Sequence, residues 1–141
     1  MAHMRYLYPR LNFILTHCSG IVDDHSLLAH MLNLEIQSHR FKSVRELVDL
    51  RKLRYADRLT VFGLMRTAEA HKDFFRGKDF SSAVVVDSPL AKTIIELYAW
   101  LVSNETIRIN IFMNDVDGAL KWLGYGNNNL KTLKDFIHMY A

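Results

Sequence analysis

The stretch AVVVDSPLAKTIIELYAWL, residues 83–101, decides the fold. It opens as a run of valines, meets Asp87-Ser88-Pro89, and continues with apolar residues at helical spacing. An apolar run without alternation reads as a strand covered on both faces, as in a parallel sheet. Ser88 suits the N-cap of the helix that follows. Pro89 fits the first helical position, where its missing N–H costs nothing. Asp87 places negative charge beside the positive end of that helix. A buried strand that turns directly into a helix is one unit of an α/β chain.

The same unit recurs on either side. Arg5–Tyr8 and Leu11–Cys18 read as two strands joined at Pro9-Arg10 as a hairpin, with Ser19-Gly20 ending the second. Asp23-Asp24 opens a helix to about His39, with Leu27, Leu28, Met31, Leu32, Leu34 and Ile36 as its apolar stripe. Val44–Leu50 is a third strand. Asp57 is expected to cap a second helix through Phe75, with Leu59, Val61, Phe62, Leu64, Met65 and Ala68 apolar, and Gly77 breaks it. Thr106–Met113 is a fifth strand, and Asp115–Gly124 holds a short fourth helix. Beyond a polar GNNN turn, Leu130, Leu133, Phe136, Ile137 and Tyr140 recur at helical spacing, which predicts an amphipathic tail helix. The order implies one mostly parallel sheet of about five strands, flanked by helices and wound with right-handed crossovers.

Composition agrees with a single α/β domain. The chain has 141 residues, 50% of them hydrophobic and 23% charged, enough to bury roughly two-thirds of its unfolded surface without disulfides or metal. The net charge of +3, from 18 basic and 15 acidic residues, is too small to argue for a nucleic-acid partner. Cys18 is the single cysteine, which fits a reducing compartment. No run approaches the roughly 18 apolar residues of a membrane span, and the start MAHMRYLYPR lacks the apolar core of a secretory signal. A cytoplasmic protein is expected. Residues 1–3 read as a cloning remnant, 4–124 as the domain and 125–141 as a helical extension.

Chemistry-bearing residues are sparse. In open α/β sheets ligands sit outside the carboxyl ends of the strands, where Asp49, Asp87 with Ser88, and Asp115 fall. Three acids there could hold a divalent cation or act as acid and base, yet the same residues are favoured simply as helix caps. The basic run RKLRYADR brings Arg51, Lys52, Arg54 and Arg58 to the turn after the third strand, with Arg45 upstream. Guanidinium groups beside a helix start could hold an anion. Asp49 and Asp57 within the run equally suit local ion pairing. His17 and Cys18 are adjacent on a strand and point to opposite faces, so they form no thiolate–imidazolium pair. Among the remaining histidines, His25 and His30 are five apart, not the four that aligns two ligands on a helix. No phosphate-binding glycine loop or cofactor signature occurs. The third helix carries more apolar surface than one sheet face needs. Tyr98 and Trp100 there, with Phe136 and Tyr140 on the tail helix, are candidates for a dimer contact or another apolar surface.

Three segments together, ELVDLRKL (46–53), AVVVDSPLAKTIIELYAWL (83–101) and RINIFMNDVDGALKWLG (108–124), resemble small bacterial proteins of the STAS-like (SpoIIAA-like) fold. That is the fold of anti-sigma factor antagonists and of the cytoplasmic domains of sulphate transporters. The ending from Ile111 to Gly124, closing on Ala119, Trp122, Leu123 and Gly124, is the most specific part. The resemblance covers about Tyr6 to Gly124. It implies a β-α superhelix and a role in binding. Anti-sigma factor antagonists are switched at a serine in the turn before the second helix. The matching turn here, RYADRLTVFG, has no serine, so that switch does not carry over. The related CRAL-TRIO folds bind lipid in an apolar cavity. The expected role is therefore a non-enzymatic module working through protein–protein contacts, as a homodimer. The alternative is a carrier of a lipid or other apolar ligand near the third helix. A third reading, an enzyme at the acid-lined edge, predicts that Asp87→Asn abolishes an activity without lowering stability.

Overall fold

The computed structural model describes residues 1–55 and 58–140. β1 (Ala2–Tyr8) turns through a short 3-10 segment (Pro9–Leu11) into β2 (Phe13–Val22). There follow α1 (Asp24–Gln37), β3 (Val44–Tyr55), α2 (Val61–Phe74), β4 (Phe80–Val86), α3 (Pro89–Val102) and β5 (Ile107–Met113). Two helices close the chain, α4 (Val116–Trp122) and α5 (Asn127–Tyr140).

The five strands lie in sequence order in one sheet. β1 is antiparallel to β2, and the remaining pairs are parallel. Side chains alternate between the two faces. Ile14, Val44 and Ile107 form a core with residues of α1, α2 and α3. Phe13, Leu15, Leu47, Ala83 and Val85 form a separate core with α4 and α5. All of β4 is buried, as its valine run requires. The expected turn after it is also present: Ser88 accepts the Ala91 N–H at 3.2 Å and Pro89 opens α3.

Three expectations need correction. Ser19-Gly20 does not end β2. The pairing with β3 slips between His17 and Ser19, then resumes from Ser19–Lys52 to Val22–Tyr55. This is a β-bulge, and β1 also pairs across it, Ala2 opposite Ser19. The basic run is therefore no simple loop: Arg51, Lys52 and Arg54 lie on the extended part of β3. Finally, α2 starts later than expected. Thr60 is its N-cap, accepting the Gly63 N–H at 3.0 Å, and the expected cap at Asp57 falls outside the described residues. Val61, Phe62 and Met65 face outward, while Leu64, Thr67, Ala68 and His71 form the buried stripe. Two apolar stripes compete on this helix, and the one continuing to Phe75 meets the sheet.

Gly63 marks where α1 and α2 touch. The Asp24 carboxylate accepts the Thr60 backbone N–H at 2.7 Å and its hydroxyl at 2.6 Å. A Cβ on Gly63 would stand 2.0 Å from Asp24 Oδ1, so only glycine lets the two helix starts meet this way.

Candidate functional site

On the face covered by α1, α2 and α3, β3 places Glu46 directly opposite Ser82 of β4. The carboxylate is buried among polar donors. Thr16 donates to Oε2 at 2.6 Å, Ser82 to Oε1 at 3.4 Å, and the Arg5 Nε stands 3.9 Å from Oε2. Burial pushes the Glu46 carboxyl up, and Arg5 and the two hydroxyls counter it. Arg5 also donates to Thr16 Oγ1 at 3.1 Å, to Asn33, and to His30 Nδ1 at 2.9 Å. Burial and the Arg5 charge push His30 well below the ordinary histidine range, so it accepts as the neutral ring.

A cavity of about 90 Å³ lies against this cluster, between the sheet and the layer of α1, α2 and α3. Glu46, Ser82, His30, His71, Tyr98 and Tyr55, whose buried hydroxyl has no partner among the described residues, supply its polar patches. Its walls are otherwise apolar, with Leu50, Val84, Ile95 and Ile109 among them. His71 Nδ1 and the Tyr98 hydroxyl are 2.7 Å apart. Burial lowers His71 to about 3 and raises the Tyr98 phenol, so both groups are neutral. His71 Nε2 is buried and has no hydrogen-bond partner among the described residues. Cys18 also lines the space, but burial pushes its thiol up to about 12. A thiol so held is no nucleophile. The arrangement can enclose and orient a small molecule, and it holds no activated attacking group.

The predicted sheet edge resolves differently. Asp49 accepts from Arg51 Nε at 3.0 Å, from Nη2 at 2.9 Å and from the Arg51 backbone N–H at 3.0 Å. Burial opposes ionisation of Asp49, but the Arg51 hydrogen bonds hold its carboxyl below the usual range. His17 stands 3.4 Å from the same carboxylate. Asp115 caps α4, accepting the Gly118 N–H at 2.9 Å. Ser88 caps α3, Asp87 is exposed beside it, and Arg54 is exposed on β3. Among the described residues, no three His, Cys, Asp or Glu side chains converge on a metal position. Arg45 is at the opposite end of β3, over the Tyr125 ring at 5.4 Å, so it does not join Arg51 in an anion site.

The four candidate apolar-surface residues also separate. Phe136 is partly buried and meets Tyr8 edge-on at 5.1 Å, while Tyr140 stacks on Tyr6 at 4.0 Å and is itself exposed. Tyr98 turns its hydroxyl to His71. Trp100 is the most open of the four, 79% exposed.

Sequence reasoning did not single out Arg5, Thr16, Glu46, Ser82 or His71 as a group. One signal was readable for His71, which falls on the Leu64, Ala68, Phe75 stripe of α2. Glu46 shares its face with Val44 and Val48, also buried.

Comparison with known proteins bears on the fold. No family model matches the chain, and no curated protein matches it. Among solved structures, the chain is similar to an uncharacterised protein of the DUF3478 family with a SpoIIAA-like fold from Shewanella loihica PV-4. The TM-score is 0.55 at 15% identity, covering 79% of this chain and 83% of that one. The chain has the STAS-like, SpoIIAA-like fold that its motifs led us to expect.

Proposed function

We propose that this chain is a non-enzymatic binding module that takes up a small, largely apolar molecule between its sheet and helices α1–α3. The observation that carries this reading is the apolar cavity of about 90 Å³ with a polar rim. Protein interiors leave few voids larger than a water molecule. The volume suits a ligand of a few carbon atoms: it is smaller than the roughly 150 Å³ cavity that takes up benzene. A lipid acyl chain is therefore a poor fit. The space also lies away from the tail helix, which packs on the other face. Neutral Cys18, Tyr98 and His71 favour binding over catalysis.

Small neutral molecules such as acetone, added at a hundredfold excess over their dissociation constant, should stabilise the fold by about 2.7 kcal/mol. Ile95→Phe fills the cavity from α3 and should remove that gain while leaving the chain folded. An equal gain in the variant sinks the reading.

A second reading rests on the outer helical surface, where Trp100 is 79% and Phe62 68% exposed. Exposed large apolar residues mark contact sites when they form a patch. A protein partner, or a second copy of the chain, would dock there. Sedimentation analysis should then show a dimer that Trp100→Glu dissociates. A monomer at high micromolar concentration rejects self-association.

A further inference from the structure

His71 on α2 and Tyr98 on α3 meet in the wall of the cavity. Among the described residues, the Tyr98 hydroxyl has no partner besides His71 Nδ1. The His71 ring is neutral, so one of its nitrogens donates and the other accepts. Suppose Nδ1 carried the hydrogen. The phenol hydrogen would then lack an acceptor, and the Nε2 lone pair would lack a donor. If the phenol donates to Nδ1 instead, a single group is left unmet, the Nε2–H. Each buried unmet group costs about 1–3 kcal/mol, so the second arrangement prevails.

Charge on the ligand is disfavoured from both sides. An anion would meet the Glu46 carboxylate, and a cation would find that carboxylate already engaged by Arg5, Thr16 and Ser82. Burying an unpaired charge is costly.

We infer that His71 offers an Nε2–H donor to the cavity, and that its ligand is a small neutral molecule whose apolar body carries one acceptor, such as a ketone or aldehyde carbonyl. This rests on the binding reading above and assigns the ligand its polarity. A site with a buried donor discriminates against an analogue that lacks the acceptor, because the donor is then left unpaired.

Two measurements on the full chain test it. The first is ¹⁵N NMR of the His71 ring in the free protein. The expected tautomer carries its hydrogen on Nε2, and a hydrogen on Nδ1 overturns the inference. The second compares acetone with isobutene, which replaces the oxygen by a CH₂ of the same shape. The affinity ratio, ketone over alkene, should fall at least tenfold from wild type to His71→Phe. An unchanged ratio overturns the assigned polarity and leaves ligand uptake standing. If neither molecule binds the wild type, the polarity and the binding reading fall together. Should His71→Phe not fold, the tautomer of the wild-type ring still decides.

Discussion

Glu46 is buried between Thr16 and Ser82, and its charge is met by Arg5. A buried ion pair resists the loss of one partner far more than the loss of both. Glu46→Ala should cost about 3–5 kcal/mol, because Arg5 is left uncompensated. The double change Arg5→Met with Glu46→Leu should cost less than Glu46→Ala alone. Urea unfolding of the two variants decides it, and a double variant that costs as much as Glu46→Ala or more would contradict the pairing. His71 makes a pH prediction. An unfolded histidine titrates near 6.5, whereas burial lowers folded His71 to about 3. As pH falls the unfolded chain takes up the proton first. His71 therefore contributes its full stability above about pH 6.5 and loses it toward pH 3, at up to about 1.4 kcal/mol per unit. His30 acts in the same direction. Glu46, raised by burial, acts oppositely just above its unfolded value. The clean comparison is therefore wild type against His71→Phe, whose stability should fall less steeply from pH 6 to pH 4. Parallel curves would contradict a neutral buried ring. None of this network was legible as a network. Strand alternation shows that Glu46 shares a face with Val44 and Val48. It cannot show that Arg5, forty-one residues earlier, arrives on the same face.

At the scale of elements, the Val86–Pro89 turn was readable because strand, cap and helix start each have their own residue preference. Asp115 and Ser88 act as caps, and each substitution to Ala should cost about 1 kcal/mol of stability. Asp87 is exposed, so Asp87→Asn should leave the unfolding midpoint within about 0.5 kcal/mol of wild type. A large loss there would reveal a role that its exposure does not explain. The meeting of α1 and α2 gives a sharper case. Gly63→Ala places a Cβ against the Asp24 carboxylate and should destabilise the chain. In an Asp24→Ala background the same change should instead stabilise α2 by up to about 1 kcal/mol, the helix-propensity gain of Ala over Gly. Thermal unfolding of the four combinations reads this, and a same-sign effect in both backgrounds would contradict the contact. The bounds of β2 and β3 were misread for a local reason. Ser19-Gly20 has the composition of a turn, but a bulge and pairing on both sides carry the strand to Val22.

For the whole molecule, the strand order and parallel winding were legible because each βα unit has its own signal. The division of helices between faces follows from topology: α1, α2 and α3 are successive crossovers on one side, and α4 and α5 close the other. The tail helix was expected to leave apolar surface over. Phe136 and Tyr140 complete an aromatic layer with Tyr6, Tyr8 and Phe13, and Met139 and Tyr140 remain exposed. The cavity could not be read from sequence, since a void depends on how side chains from four strands and three helices fail to meet. It is also the feature on which the functional account turns. Methyl NMR during titration with acetone tests it most directly. The account predicts saturable shifts at Leu50, Val84, Ile95 and Ile109, which line the cavity, and none at Leu120, Leu133 and Ile137 on the opposite face. Absence of any saturable shift, or equal shifts on both faces, would contradict it.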